Sequence, residues 1–308
     1  MRAEFANAMV ELAERDERIV LLTGDLGFTV LEPFAERHPQ RFYNVGVAEQ
    51  NMVGLATGLA EAGLIPFVYS IATFASLRPY EFIRNGPALH ELPVRIVGVG
   101  GGLDYGHNGV THYALEDVAV LRVQPSLTVL APADPHQALA VLAATEDVPT
   151  PVYFRLGKEA QPVPGLDGRF ALGRAEAIGE GEDVAIVALG TMAGEAVEAA
   201  RLLAERDIAA TVVVVASVSP PPVEDLLDAL GRVRLALTVE AHYRVGGVGS
   251  LVCEVVAEHG LDCRVVRRGV DRMPRGVTGT QRYLYDVFGL SAAQLADCAV
   301  EALAPIRR

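Results

Sequence analysis

The sequence predicts two consecutive three-layer α/β/α domains, each built on a largely parallel sheet wrapped by helices. Three observations carry this reading. Short β-branched runs alternate with segments of helical periodicity along the chain. The alternation is interrupted by a Gly-, Pro- and acid-rich stretch over 156–183, which has the composition of a linker. The 308 residues also exceed what a single hydrophobic core normally fills. The junction falls near 170–180, which gives a first domain over 1–170 and a second, smaller one over 180–308.

In the first domain an amphipathic segment at 2–15 precedes apolar runs at 19–23, 65–70, 94–99, 127–130 and 152–155, which read as strands. Helical spacing appears at 48–62, 73–90 and 135–145. Beyond the junction, 184–189, 211–216 and 234–239 repeat the strand pattern, with helices expected at 191–206, 223–230 and 248–259. The cluster from Ser217 to Pro222 ends a strand and sets a helix start, because proline is tolerated in a first helical turn.

Composition narrows the function classes. Hydrophobic residues make up 51% and charged residues 21%, an ordinary globular balance, and no window offers the run of about 20 apolar residues that a membrane helix needs. The first 18 residues are amphipathic and carry acids throughout, unlike a signal or transit peptide, so the expected location is the cytoplasm. Cys253, Cys263 and Cys298 have no CxxC spacing and no paired histidines, which argues against a disulfide framework or a zinc site. A net charge of −13 argues against a nucleic-acid partner, since binding a phosphate backbone requires clustered Lys and Arg.

The most informative segment runs over 42–63, where FYNVGVAEQ opens into a Gly- and Ala-rich helix with Glu49 in its first turn. It is followed by SIATFASLRPYEFIRNG at 70–86 and by GGLDYGHNGVTHYALED from 101. In this order the three segments resemble the pyrimidine-binding domain shared by transketolases, 1-deoxyxylulose-5-phosphate synthases and the beta subunits of 2-oxoacid dehydrogenases. The stretch at 238–260 resembles the family's C-terminal domain, with Glu240, His242, Gly246 and Gly247 shaping a strand-to-helix turn.

The resemblance implies thiamine diphosphate as cofactor and assigns roles residue by residue. Glu49 is the carboxylate that hydrogen-bonds N1′ of the aminopyrimidine, which favours the imino tautomer able to deprotonate the thiazolium carbon. Phe74 stacks on the pyrimidine face, where an aromatic ring offers apolar area to a flat heterocycle. Asp25, in the GDLG turn after the first strand, lies among the cofactor-binding positions. His112 faces the substrate, where an imidazole moves protons near neutral pH. Arg78, Tyr80, Glu81 and Arg84 are read as structural or dimer-interface residues. Arg2, Asn108 and Arg155 join His112 as substrate-binding candidates, the two arginines because a guanidinium fork suits phosphate or carboxylate.

The family's diphosphate- and metal-binding domain, with its GDG motif and downstream asparagine, has no counterpart here. Gly24 to Gly27 followed by Asn51 imitates the spacing, but Asn51 lies in the Glu49 helix and Leu26 stands where the motif has glycine. The resemblance therefore implies a split enzyme. An N-terminal transketolase subunit would supply the diphosphate contacts and the Mg or Ca, this chain would bind no metal itself, and two copies of it would form the core of an α2β2 heterotetramer.

The expected activity is transfer of a two-carbon ketol unit from a ketose donor to an aldehyde acceptor. The alternatives are the beta subunit of a 2-oxoacid dehydrogenase or decarboxylase, and a non-catalytic assembly subunit. Departures from the family pattern gather at substrate-facing positions. His107 and Asn108 replace Glu and Asp, Tyr113 replaces Gln, and Gly100 stands where sugar-phosphate transketolases have histidine. They imply a non-standard sugar or aldehyde substrate.

Overall fold

A computed structural model describes residues 1–304. Residues 305–308, the end of the expected second domain, lie outside the described residues. The strands are β1 (Ile19–Thr23), β2 (Phe42–Asn44), β3 (Ile65–Ile71), β4 (Arg95–Val99), β5 (Thr128–Leu130), β6 (Val152–Leu156), β7 (Glu176–Ile178), β8 (Val184–Leu189), β9 (Ala210–Val215), β10 (Ser217–Ser219), β11 (Leu235–Tyr243) and β12 (Arg264–Val270). The helices are α1 (Arg2–Arg15), α2 (Glu32–Arg37), α3 (Glu49–Glu61), α4 (Ala72–Leu77), α5 (Tyr80–Ile83), α6 (Asp117–Arg122), α7 (Pro135–Ala144), α8 (Ala193–Ala204), α9 (Val223–Gly231), α10 (Val248–His259), α11 (Gln281–Phe288) and α12 (Ala292–Leu303).

Two sheets result. The first runs β10-β5-β6-β4-β3-β1-β2 and the second β12-β11-β8-β9-β7. Neighbouring strands pair in parallel except β10 with β5 and β7 with β9. Strands β1, β4, β6 and β8 are buried at every position, because helices cover both faces of a parallel sheet; this is why their sequences are mostly apolar, with Arg95 in β4 and Arg155 in β6 as the charged exceptions. Phe5, Met9, Phe34 and Phe154 pack α1 and α2 against one face of the first sheet. On the other face Met52, Val68 and Ile83 belong to an apolar layer that continues without a break into Val187, Leu226 and Val252 of the second unit.

The segment around the junction is divided between the two units. Val163 N donates to Asp134 Oδ2 (2.8 Å) and Gln137 Nε2 to Arg169 O (2.8 Å), which holds 163–169 on the first unit. Residues Glu176–Ile178 already pair with the second sheet. The chain also crosses back, since Ser217 and Ser219 extend the first sheet beside Leu130 and Val129.

The single helix expected over 73–90 is broken into α4, α5 and a π-helical turn at Arg84–Ala88. Pro79 and Pro87 have no N–H to continue an α-helical ladder, so the backbone widens or restarts at each. Periodicity gives no sign of β12, because three arginines interrupt its apolar residues. As an edge strand it needs only partial burial.

Arg95 is a charged residue inside the core, 2% exposed at the start of β4. Its guanidinium donates to the carbonyls of Thr150 (2.9 Å), Thr145 (3.1 Å) and Val148 (2.6 Å), closing the end of α7 and the loop after it. Burial lowers its pKa to about 10, so it stays charged at neutral pH. Arg95→Met keeps the length but removes every donor. Stranding those carbonyls should cost at least about 3 kcal/mol, and a denaturant midpoint equal to that of the wild type would show that water replaces the guanidinium freely.

Candidate active site

Asn44, the last residue of β2, organises the approach to Glu49. Its Oδ1 accepts from the backbone N–H of Asp25 (3.1 Å) and Gly46 (3.0 Å), and its Nδ2 donates to Asp25 Oδ1 (2.9 Å). One amide thereby fastens the turn after β1 to the loop entering α3. Asp25 itself adopts φ +57°, a left-handed conformation that a short polar side chain tolerates.

Glu49 follows as the first residue of α3, where the positive end of the helix dipole favours a carboxylate. It is 2% exposed. Ser70 Oγ, near the end of β3, donates to its Oε1 (2.9 Å), and Arg78 Nη1 donates to its Oε2 (2.7 Å). Gly24 lies behind, where an added Cβ would stand 3.4 Å from Oε1, an ordinary van der Waals distance. The carboxylate is fixed from three sides.

Phe74 in α4 completes the arrangement. The Arg78 guanidinium carbon lies 3.8 Å from the centre of the Phe74 ring, so a flat cation stacks on the ring while bonded to Glu49. The structure thus moves Arg78 out of the structural or interface role read from sequence and into direct contact with Glu49. On the other side of Phe74 the His112 imidazole sits edge-on, with ring centres 5.2 Å apart. His112 is half-buried in a short 3-10 turn, Val110–His112, with Nδ1 3.0 Å from Thr111 Oγ1. Glu49, Phe74 and His112 therefore form one contiguous surface.

Around that surface the expected substrate residues separate. Asn108 and His107 are exposed on the same loop as His112. Tyr113 points the other way. It is 2% exposed, and its hydroxyl lies 3.0 Å from Gly106 O and 2.7 Å from Val277 O, which ties the loop to the second unit.

Gly100 has φ +76°, and a Cβ on it would come within 2.1 Å of the Tyr105 ring. Tyr105 thus occupies the space that a side chain at 100 would need. Lys158 Nζ lies 5.3 Å from the centre of this ring. Burial pushes the Tyr105 hydroxyl above its ordinary range, and the nearby Arg2 charge opposes that shift.

Arg155 is not available for the anion grip expected of it. It is 4% exposed, its Nε donates to Asp117 Oδ2 (2.8 Å), and its Nη2 donates to Ala114 O (3.0 Å) and Ala241 O (2.9 Å). A buried guanidinium already neutralised by a carboxylate has no free charge to offer, and in this structure Arg155 is a strut between the two units. Asn44, Ser70 and Tyr105 take part in the site without any signal of their own in the sequence. Lys158 is the only lysine of the chain, which is the one hint that could have marked it. Among the described residues no three His, Cys, Asp or Glu side chains are grouped to hold a metal ion, and no helix is long and apolar enough to cross a membrane.

In the second unit, Glu240 Oε2 and Oε1 accept from the N–H groups of Val248 (2.9 Å) and Gly249 (3.0 Å), capping α10. A Cβ on Gly247 would collide with that carboxylate. Beside it His242 is fully buried. Its Nδ1–H donates to Tyr243 O (2.6 Å) and its Nε2 accepts from Ala119 N (3.3 Å), a neutral pattern that pins α6 to β11.

The fold and a match to a pyrimidine-binding domain mark a chain of the thiamine-dependent class. The chain belongs to the transketolase family. Residues 1–163 match the transketolase pyrimidine-binding domain and residues 173–295 the transketolase C-terminal domain. One subunit of the apulose-4-phosphate transketolase of Phocaeicola vulgatus is 34% identical over 97% of this chain and 96% of its own length. A 6-deoxy-6-sulfo-D-fructose transketolase subunit from a Clostridium species is 36% identical over 98% and 94%. Among solved structures, a split-gene transketolase described as an inactive β4 tetramer superposes with a TM-score of 0.89 at 38% identity, covering 98% of this chain and 97% of that one.

Burial holds the His242 imidazole down at about 4 against an ordinary 6.5. It should therefore stay neutral at pH 6. Its share of the stability is complete above 6.5 and is lost as pH falls toward 4, because the unfolded chain takes up the proton first. An NMR titration of the assigned ring reads this directly, and a midpoint near 6.5 would rule out the neutral pin.

Proposed function

We propose that this chain is the pyrimidine-binding subunit of a split, thiamine-diphosphate-dependent transketolase and works only with a companion subunit. The carrying observation is the stack formed by Phe74, the Arg78 guanidinium and Glu49. A planar, nitrogen-rich cation lies against both the ring and the carboxylate, which supports a fit of these residues to the flat, protonatable head of the cofactor.

When bound, the cofactor supplies the carbon nucleophile that carries a two-carbon unit between sugars. Glu49 holds a proton at N1′ of the pyrimidine, in a pocket from which burial excludes bulk water. Ser70 and Gly24 keep that carboxyl aimed. Phe74 orients the ring from one side, and Asp25 belongs to the turn bordering the pocket. His112, in edge contact with Phe74, moves protons at the substrate's oxygens, while Asn108 on the same loop contributes to substrate binding. Arg2, with Lys158 across Tyr105, offers the cationic end of the substrate site that the buried Arg155 does not.

Among its described residues the chain provides no metal cluster and no Gly-rich cradle for a diphosphate, and those contacts are assigned to the companion together with its Mg or Ca. An α2β2 assembly in the cytoplasm accords with this division of labour. Phe28 (71% exposed), Val47 (68%) and Leu89 (68%), with Leu55, Leu77 and Phe82, leave apolar surface open around the elements that carry Glu49 and Phe74. A monomer rarely leaves such a concentration uncovered. The inactive tetramer of the related split transketolase supports self-association of such chains and their dependence on a companion. Relatives named for apulose 4-phosphate and for 6-deoxy-6-sulfo-D-fructose support the reading of a non-standard sugar as substrate, in keeping with Gly100 and Asn108.

Reconstitution with the companion subunit tests the core of this reading. Glu49→Ala should lower turnover about 100-fold or more; unchanged turnover would refute the catalytic assignment. Arg78 adds a second test. Cofactor entry has to move it off Phe74 and Glu49, and that half-exposed pairing is worth on the order of 1 kcal/mol. Thiamine diphosphate should therefore bind the Arg78→Met complex roughly three- to tenfold more tightly than the wild type. Weaker binding in a fluorescence titration would instead make Arg78 a contact of the bound cofactor.

A further inference from the structure

The arginines of this acidic protein are mostly matched to carboxylates. Arg15 pairs with Glu146, Arg169 with Glu176, Arg174 with Asp225, Arg206 with Asp297 and Arg234 with Asp262. Others lack such a partner, and five arginines gather in one place. A cleft of about 710 Å³ in the second unit is lined by Arg244, Arg267, Arg268, Arg272 and Arg275, with Asp271 as its single acid.

The charges there are poorly neutralised. Arg244 Nη2 is 3.8 Å from Asp271 Oδ2, beyond hydrogen-bond length. Arg267 Nη1 donates to Arg244 O (2.9 Å) and Arg268 Nη2 to Gly289 O (2.9 Å), so backbone carbonyls fix their positions; the buried Glu240 stands near Arg267, and neither arginine makes an ion pair among the described residues. Arg272 and Arg275 are exposed and pair with no acid among the described residues. Five like charges around one concavity repel one another, in a chain with a net charge of −13 and acids to spare elsewhere.

We propose that this cleft is a binding site for a small phosphorylated molecule. Guanidinium forks match phosphate oxygens in pairs. Arg244, Arg272 and Arg275 follow the carboxyl ends of β11 and β12, the end of a parallel sheet at which α/β proteins take up ligands, and Arg267 and Arg268 reach the cleft from β12 itself. The volume lies within the range of small-molecule sites and exceeds one phosphate group. Met273, Val287 and Phe288 give the remainder an apolar lining suited to a carbon skeleton. Its concave form and size favour a small molecule over an acidic protein surface.

The test uses the full chain, titrated calorimetrically at low ionic strength with inorganic phosphate, then with a sugar phosphate and the same sugar without its phosphate. Saturable binding of the two phosphates with a Kd below about 10 mM, and none of the bare sugar, is expected. Arg272→Gln combined with Arg275→Gln, two exposed side chains with no acid partner among the described residues, should weaken binding about tenfold or more, and Arg234→Gln should leave it unchanged. Circular dichroism and the melting temperature establish that the double variant is folded. Absence of saturable phosphate binding, equal binding in the double variant, or loss of binding once the companion subunit is present would each overturn the proposal.

Discussion

The buried pair between Arg155 and Asp117 is the contact on which the arrangement of the two units turns. Arg155 leaves β6 in the first sheet, Asp117 begins α6, and the same guanidinium reaches Ala241 in β11 of the second sheet. Tyr153 adds its hydroxyl to the same carboxylate oxygen at 2.8 Å, while Asp117 Oδ1 has no hydrogen-bond partner among the described residues. Burying two charges costs much of what their attraction returns, so the pair specifies geometry more than it adds stability. It admits one placement of β11 against the first sheet. Replacing either partner alone would leave a charge stranded in the core.

The site depends on that placement. The loop over 100–116 begins beside Arg155, where a Cβ on Gly101 would meet the guanidinium side chain at 2.9 Å. It ends at Asp117 and carries His112 between these two ends. Tyr113 and the hydrogen bond from Gly279 N to Gly106 O (3.1 Å) fasten it to the segment after β12. That segment also supplies Arg272 and Arg275. The His112 imidazole is thus held by residues of both units, whereas Glu49 and Phe74 are held by the first alone.

Much of this was legible in the sequence, for definite reasons. Strands buried on both faces are largely apolar, so β3, β4, β6 and β8 could be read from their runs despite Ser70, Arg95 and Arg155. Glu49, Phe74 and His112 lie in segments long enough to resemble a family, and the structure brings them together. What could not be read depends on distant pairings. Asn44 is an ordinary polar residue until the turn at Asp25 comes beside it. Arg78 looks like any exposed helical arginine until Glu49 and Phe74 face it, and Arg155 looks free until Asp117 is packed against it. At three residues each, the edge strands β7 and β10 are too short to leave a periodic trace.

Gly100 and Tyr105 show how such pairings constrain change over evolutionary time. A histidine at 100 would need both a relaxed backbone, since φ there is +76°, and the volume now filled by the Tyr105 ring. Losing the ring first would open a gap beside Lys158 and Arg2; gaining the imidazole first would produce a collision. The route between this chain and a relative with histidine at that position therefore passes through an unfit intermediate. The two residues are thereby coupled, and a change at one calls for a change at the other.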